Sequence, residues 1–163
     1  MALQDRLDAF RADFEAGKPP YNAPAWIHEP MHCATKELID SGAAERALKV
    51  GDKAPTFTLK DPDGHDVSST DRLARGPLIV TFYRGVWCPY CNMDLHALEA
   101  ALPQFQKLGA SMVAVSPQTP PNSRRSQREN KVHFPILSDP ENTLAAAFGL
   151  RFTLPDYLHH ALL

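Results

Sequence analysis

The stretch TFYRGVWCPYCN, Thr81–Asn92, joins an expected strand to an expected helix and carries two cysteines three positions apart. Just before it, Leu78–Phe82 is a continuous run of β-favouring residues, the pattern of a strand covered on both faces. Downstream, apolar residues recur at helical spacing, at positions Cys91, Leu95, Leu98 and Leu102. The two cysteines are therefore predicted to lie where a buried strand becomes a helix.

The helix is predicted to begin with Cys88 as its N-cap. Pro89 then occupies the first helical position, where its missing N–H group does no harm. The Cys88 sulfur would face the unpaired N–H groups of the first turn and the positive end of the helix dipole. Such sites lower the pKa of a cysteine from about 8.5 to between about 3.5 and 7.5. We therefore expect Cys88 to be the nucleophile, more acidic and more exposed than Cys91.

Cys91 falls one helical turn after Cys88. Residues three apart in a helix have Cα atoms roughly 5 Å from each other, within the range of about 4.4 to 6.8 Å that a disulfide requires. Cys91 is therefore predicted to be the second catalytic cysteine, which forms a disulfide with Cys88.

A C-x-x-C pair can also be half of a zinc site, or two cysteines that pack in a core. The sequence offers no second C-x-x-C, and its one other cysteine is Cys33. His28 and His32 have the four-residue spacing of metal ligands in a helix, but Pro30 between them is expected to spoil that geometry. We predict redox chemistry, no metal and no cofactor, and we expect Cys33 to be a small buried residue.

The length of 163 residues suits one domain with a core of its own. The sequence has three cysteines, two of them in one motif, which is too few for a disulfide framework. Its first residues start a charged amphipathic stretch and not an apolar signal region. We therefore expect a reducing, cytoplasmic setting. No apolar run approaches the roughly 20 residues of a membrane span. The net charge of −2 gives little attraction for phosphate backbones. Neither a membrane nor a nucleic acid is an expected partner.

The chain is predicted to have two parts, residues 1–49 as an N-terminal helical extension and residues 50–163 as an α/β domain. In the first part, an apolar stripe indicates one helix that ends at Gly17, and a second helix is predicted from Met31 to Asp40. In the second part, the turn residues at 61–64 indicate a hairpin, and residues 111–115 form a second buried strand. A strand, a helix and a strand in succession predict a parallel pair.

Two further helices are expected near the end of the chain. A polar helix is predicted over residues 123–130, and its basic cluster is interpreted as a solvated face: Arg124, Arg125, Arg128 and Lys131. A short strand follows at residues 134–137, and then a helix from Pro140 to Phe148 with Asp139 as its N-cap.

Three segments in this order resemble the peroxiredoxin-like proteins of the alkyl hydroperoxide reductase/thiol-specific antioxidant family, within the thioredoxin fold. They are GDKAPTFTL at residues 51–59, FYRGVWCPYC at residues 82–91 and FPILSDP at residues 134–140, followed by AFG at 147–149. The resemblance spans residues 50–150 and implies a thioredoxin-like α/β fold, a central mixed sheet flanked by helices. Because the chain stops soon after residues 154–157, we also expect a shortened C-terminus and a possible homodimer.

This resemblance implies reduction of hydrogen peroxide or organic hydroperoxides by a cysteine thiolate, with a second thiol resolving the sulfenic acid. Cys88 and Cys91 fit those roles, and a thiol reductant such as thioredoxin, glutaredoxin or glutathione is the implied partner. The family usually carries Thr or Ser three residues before the peroxidatic cysteine, where this chain has Gly85. In the other register Cys91 is peroxidatic, Cys88 replaces the hydroxyl residue and Arg84 replaces the usual proline.

Arg84, Trp87 and Tyr90 are the candidate substrate-binding residues. Arg84 is the cation closest in sequence to Cys88 and could stabilise both a thiolate and a peroxide. Trp87 and Tyr90 could form the walls of the pocket. The segment CPYC with a preceding Trp is also similar to glutaredoxin and thioredoxin sites, so thiol–disulfide exchange with a small disulfide is a close alternative. A non-catalytic binding module is a third.

Overall fold

The structure is a computed structural model that describes residues 2–158. Contacts divide it into two compact units, each described here by itself. The first contains the described residues up to Asp52 together with those from Phe148 onward, and the second is Lys53–Ala147. From the sequence, residues 50–163 were predicted to form one domain, which would place the residues after Phe148 with the sheet.

The first unit is helical. Its helices are α1 (Leu3–Glu15), α2 (His28–Asp40) and α3 (Ala43–Arg46), with a 3-10 turn at Ala25–Ile27. The apolar stripe of α1 stacks its rings on the following loop, with Phe10 and Tyr21 edge to face at 5.4 Å. The end of the chain joins this unit through Leu48, whose N–H donates to the Phe148 carbonyl at 3.1 Å.

Helix α2 begins earlier than the sequence predicted, at His28 and not at Met31. Pro30 therefore lies inside the first helical turn. A proline is tolerated there because the first N–H groups of a helix have no intrahelical partner. The expectation that Pro30 interrupts the helix between His28 and His32 is wrong.

The second unit is built on a five-stranded mixed sheet in the order β2-β1-β5-β4-β3. The strands are β1 (Thr58–Lys60), β2 (Asp66–Ser68), β3 (Leu78–Phe82), β4 (Ser111–Ser116) and β5 (Ile136–Ser138). The helices that flank it are α4 (Ser69–Leu73), α5 (Pro89–Lys107), α6 (Pro120–Asn130) and α7 (Thr143–Ala147). The predicted α/β class and the predicted hairpin are confirmed.

Strands β3 and β4 run parallel over their whole length, with Leu78 opposite Ser111 and Phe82 opposite Val115. This confirms the parallel pair predicted from the strand–helix–strand order. Strand β5 continues the parallel part beside β4, and the β1–β2 hairpin joins β5 antiparallel through the Lys60–Ser138 pair.

The position of β3 in the sheet differs from the prediction. It lies at one end of the strand order, and all five of its residues are half-buried. The buried centre is instead β4, whose residues from Met112 to Ser116 are at most 2% exposed. An apolar run of five residues indicates a strand, but which neighbours it pairs with is set by distant parts of the chain.

The core lies between α5 and the sheet and includes Leu95 and Leu102 from the helix and Met112, Ala114 and Ile136 from the strands. Cys91, at the start of α5, packs against this cluster. The helix runs through Pro103 without ending. Its first turn is thus anchored in the core, which fixes the position of the two cysteines.

Among residues 2–158, no helix is both long and apolar enough to cross a membrane.

Candidate active site

Cys88 is the N-cap of α5, as the sequence predicted. Its backbone is extended, Pro89 follows at the start of the helix, and the Cys88 sulfur accepts a hydrogen bond from the Cys91 N–H at 3.4 Å. The loop that leads to it is closed by a turn in which the Cys88 N–H donates to the Gly85 carbonyl at 3.1 Å. The sulfur therefore takes the place of the oxygen of an ordinary capping residue.

Arg84 supplies a second donor to the same sulfur. Its Nη2 lies 3.2 Å from the Cys88 Sγ. The guanidinium also lies over the indole of Trp87, 5.2 Å from the ring centroid. Arg84 and Trp87 are both exposed. Arg84 therefore contacts both the Cys88 sulfur and the Trp87 ring.

These contacts give the two cysteines different pKa values. A hydrogen bond from the Cys91 thiol is the largest influence that lowers the pKa of Cys88, which falls to about 5. The Cys91 N–H and the charge of Arg84 act in the same direction, and burial opposes them. The pKa of Cys91 is raised, first because its proton is shared with Cys88 and then by burial. At neutral pH Cys88 is the thiolate and Cys91 the thiol.

The prediction that Cys88 is the more exposed cysteine is wrong. Cys88 is 0% exposed, whereas Cys91 is half-buried. The reason lies in the cap geometry. To accept the Cys91 N–H, the sulfur folds back over the first turn of α5, and Arg84 reaches it from the loop. A thiolate that is buried but hydrogen-bonded keeps its charge, because donors replace the lost water.

Gly85 has a positive φ of 155°, and a Cβ atom built on it would lie 2.7 Å from Trp87 Nε1 and 3.0 Å from its Cδ1. A side chain of any kind at position 85 therefore requires the indole to move. In the register with Cys88 as the peroxidatic cysteine, a Thr or Ser at the position where the family usually has one would therefore displace the Trp87 ring.

Behind the loop lies a partly buried polar network that was not predicted from the sequence. The side chain of Gln118, just after β4, bonds to the Val86 N–H at 3.0 Å and to the Tyr83 hydroxyl at 2.6 Å. The Asn92 amide donates to the Val86 carbonyl at 2.9 Å. A signal existed, since the carboxyl ends of adjacent parallel strands meet at one edge of a sheet, and Gln118 follows such a strand.

Tyr90, the third predicted substrate-binding residue, lies half-buried in the first turn of α5. Its position next to Cys91 is consistent with a wall of the site. The substrate contacts of Tyr90, Trp87 and Arg84 stay a prediction.

The other cysteine and the two histidines belong to the first unit. Cys33 is exposed on α2, so the expectation of a small buried residue is wrong. His32 pairs with Glu15 at 3.0 Å through its Nε2, and His28 packs against Phe14 with ring centroids 5.8 Å apart.

Among residues 2–158, the group with the spacing of metal ligands is Asp61, Asp63 and His65, in the β1–β2 turn. It contains no cysteine, and Asp63 is paired with Arg124 at 3.0 Å. Arg125 is likewise paired, with Glu129 at 2.7 Å. Two members of the basic cluster on α6 thus have acidic partners at the surface.

Comparison with known proteins gives a family match over most of the chain. A model of the AhpC/TSA family matches residues 50–160. A putative peroxiredoxin of Mycobacterium tuberculosis is 36% identical over 102 residues, which are 63% of this chain and 64% of that protein. Peroxiredoxin Bcp of Escherichia coli is 30% identical over 103 residues, 63% of this chain and 65% of that protein. The chain thus spans less than two thirds of either relative.

A solved structure is similar as well. The crystal structure of peroxidoxin BcpB from Mycobacterium tuberculosis superposes with a TM-score of 0.62 at 27% identity. The similarity covers 66% of this chain and 70% of that one. It confirms the predicted thioredoxin-like architecture of the sheet and its helices.

Proposed function

Because the chain belongs to the AhpC/TSA family, we propose that it is a thiol peroxidase that reduces hydrogen peroxide or organic hydroperoxides with Cys88 as nucleophile and Cys91 as resolving cysteine. One observation carries the proposal. The Cys88 sulfur accepts hydrogen bonds from the Cys91 N–H and from Arg84, and its pKa is lowered to about 5. A stable thiolate at the start of a helix is the reagent that this reaction requires.

In the first step the Cys88 thiolate attacks one peroxide oxygen. The new S–O bond forms as the O–O bond breaks, so the sulfur is oxidised to a sulfenic acid and the peroxide is reduced. The leaving oxygen takes a proton and departs as water or an alcohol. Arg84 already lies 3.2 Å from the sulfur, so its charge is placed to stabilise the negative charge as it moves onto the oxygens.

In the second step Cys91 resolves the sulfenic acid. Its sulfur displaces the hydroxyl group of Cys88, which leaves as water with the proton of the Cys91 thiol, and a disulfide forms. The helix holds the two residues one turn apart. A thiol reductant then returns both cysteines to the reduced state, with its own two thiols joined as a disulfide. Thioredoxin, glutaredoxin and glutathione are the candidate donors.

Access to the sulfur requires a movement. Cys88 is fully buried, and the exposed side chain that contacts its sulfur is Arg84. Because Arg84 is at the surface and rests on the exposed ring of Trp87, its guanidinium can swing aside without opening the core. A peroxide can then enter between the sulfur and the guanidinium.

Thiol–disulfide exchange is the second candidate, and Gly85 favours it. Glycine at this position gives Cys88 no neighbouring hydroxyl group of the kind that polarises a peroxide in the family. Exchange requires only the thiolate, the second thiol and access.

The test is rapid-reaction kinetics of the reduced protein with hydrogen peroxide, an organic hydroperoxide and oxidised glutathione, with Cys88→Ser as the matched control. The proposal predicts a larger second-order rate constant for a peroxide than for oxidised glutathione, and no reaction of the control. A larger constant for the disulfide would favour exchange. If the reduced protein consumed none of the three, a non-catalytic binding module would be the better description.

A further inference from the structure

Gln118 stands between the loop that carries Cys88 and the body of the second unit. It follows β4, and both atoms of its side-chain amide are in use. Its Oε1 accepts from the Val86 N–H at 3.0 Å, and its Nε2 donates to the Tyr83 hydroxyl at 2.6 Å. The Nε2 also lies 3.4 Å from the hydroxyl groups of Ser123 and Ser126.

The orientation of this amide follows from its partners. The Val86 N–H can only donate, so the atom that faces it must be the oxygen. The nitrogen is then directed to the hydroxyl groups, each of which can accept. The Gln118 side chain thus accepts a hydrogen bond from the loop through its oxygen and donates one to the Tyr83 hydroxyl through its nitrogen.

Further bonds hold the same short piece of backbone. The Asn92 side chain donates to the Val86 carbonyl at 2.9 Å, so both backbone groups of Val86 are bound by side chains. The Ser116 hydroxyl, at the end of β4, donates to the Arg84 carbonyl at 3.5 Å and accepts the Gln118 N–H at 3.4 Å. The backbone from Arg84 to Val86 is thus fixed to the end of the parallel strands.

We propose that Gln118 is the positioning residue that holds the Arg84 guanidinium at the Cys88 sulfur. The inference rests on the proposed function for its role in catalysis. Val86 lies between the two residues that must meet, Arg84 and Cys88, and the turn through Gly85 brings them together. With Val86 released from Gln118, fewer bonds hold the loop in place, and the 3.2 Å contact between guanidinium and sulfur is lost for part of the time.

The test replaces Gln118 by leucine, which has a similar size and makes no hydrogen bond. Reduced protein is alkylated with iodoacetamide over a range of pH, and the Cys88 peptide is followed by mass spectrometry. The wild-type midpoint is expected at about 5. Because the Arg84 contact is lost only for part of the time, the midpoint of Gln118→Leu is expected to rise by about half a unit, which lowers alkylation below the midpoint about threefold at a given pH. Gln104→Leu, on the exposed surface of α5, is the matched control and keeps the wild-type midpoint.

Two further variants separate positioning from general packing. Ser126→Ala removes one neighbour of the Gln118 nitrogen but leaves the bond to Val86, so its midpoint is expected to stay at the wild-type value. If Gln118→Leu is poorly folded by circular dichroism, Gln118→Ala removes the same bonds with less bulk and is expected to show the same rise.

An unchanged midpoint in the folded Gln118 variant would overturn the proposal, as would an equal rise in Ser126→Ala. Because the readout uses no peroxide, it is independent of whether peroxide is the substrate. Absence of peroxidase activity in the wild type would refute the proposed function and leave this result standing.

Discussion

The charge on the Cys88 sulfur is maintained by donors from two directions. The Cys91 thiol and N–H lie on the helix side, and Arg84 lies on the loop side. Removal of water from a thiolate would by itself raise its pKa, and the pKa of Cys88 is nevertheless lowered to about 5. Hydrogen bonding and the Arg84 charge outweigh burial at this sulfur.

Arg84→Ala is expected to raise the pKa of Cys88 because it removes the charge-assisted donor at 3.2 Å. A charged hydrogen bond contributes about 1.5 to 3 kcal/mol, and exposure of Arg84 puts the effect at the low end, about one pKa unit.

Because the thiolate reacts, alkylation of wild-type Cys88 should be constant above pH 6, about one unit above its pKa, and fall about tenfold per pH unit well below it.

The profile of Arg84→Ala should shift toward higher pH, and Arg84→Lys, which keeps the charge without the planar fork, should lie between the two. Alkylation at a series of pH values, with the Cys88 peptide quantified, measures all three. Identical profiles for Arg84→Ala and the wild type would show that Arg84 has no part in the acidity.

Among the elements, α5 was predicted with its correct cap, whereas α7 was predicted to begin too early. The cap of α5 has a local cause, a cysteine followed by a proline. A cause that lies within a few residues can be recognised from the sequence. Helix α7 was predicted from Pro140 but begins at Thr143, because Asn142 adopts a left-handed φ of 53° and delays the first turn. Asparagine tolerates that conformation, but nothing nearby in the sequence required it.

Asp139 nevertheless caps α7, from farther away than predicted. Its carboxylate accepts from the Thr143 N–H at 2.9 Å and from the Ala145 N–H at 3.0 Å, and the residue is 4% exposed. Asp139→Ala should lower the free energy of unfolding by about 1 to 2 kcal/mol. Asp139→Asn keeps one acceptor oxygen, so its free energy of unfolding should fall by less. Urea denaturation of both variants measures the difference, and equal stability of Asp139→Ala and the wild type would exclude the cap.

For the molecule as a whole, the class of fold, the parallel pair and the position of the dithiol followed from periodicity and motif. The place of β3 at the end of the sheet did not, since an edge strand and a central strand of five apolar residues look alike in sequence. Gln118 was missed because its partner Val86 lies 32 positions away, and the one signal for it, its place after a parallel strand, names no partner.

The possible homodimer stays a prediction. Within the described residues, β3 lies at the end of the strand order, and the edge of a sheet is a place where a second chain can pair. Light scattering over a range of protein concentrations is expected to show a mass above the 18.1 kDa of one chain. A constant monomer mass at high concentration would count against the dimer.

The most direct measurement of which cysteine attacks peroxide is the location of the first sulfenic acid. Reduced Cys91→Ser and Cys88→Ser are each treated briefly with hydrogen peroxide, trapped with dimedone and mapped by mass spectrometry. Because the pKa of Cys88 is lowered and that of Cys91 is raised, we expect the adduct on Cys88 of Cys91→Ser and none on Cys91 of Cys88→Ser. An adduct on Cys91 of Cys88→Ser, with none on Cys88 of Cys91→Ser, would contradict the assignment and place the peroxidatic role at Cys91.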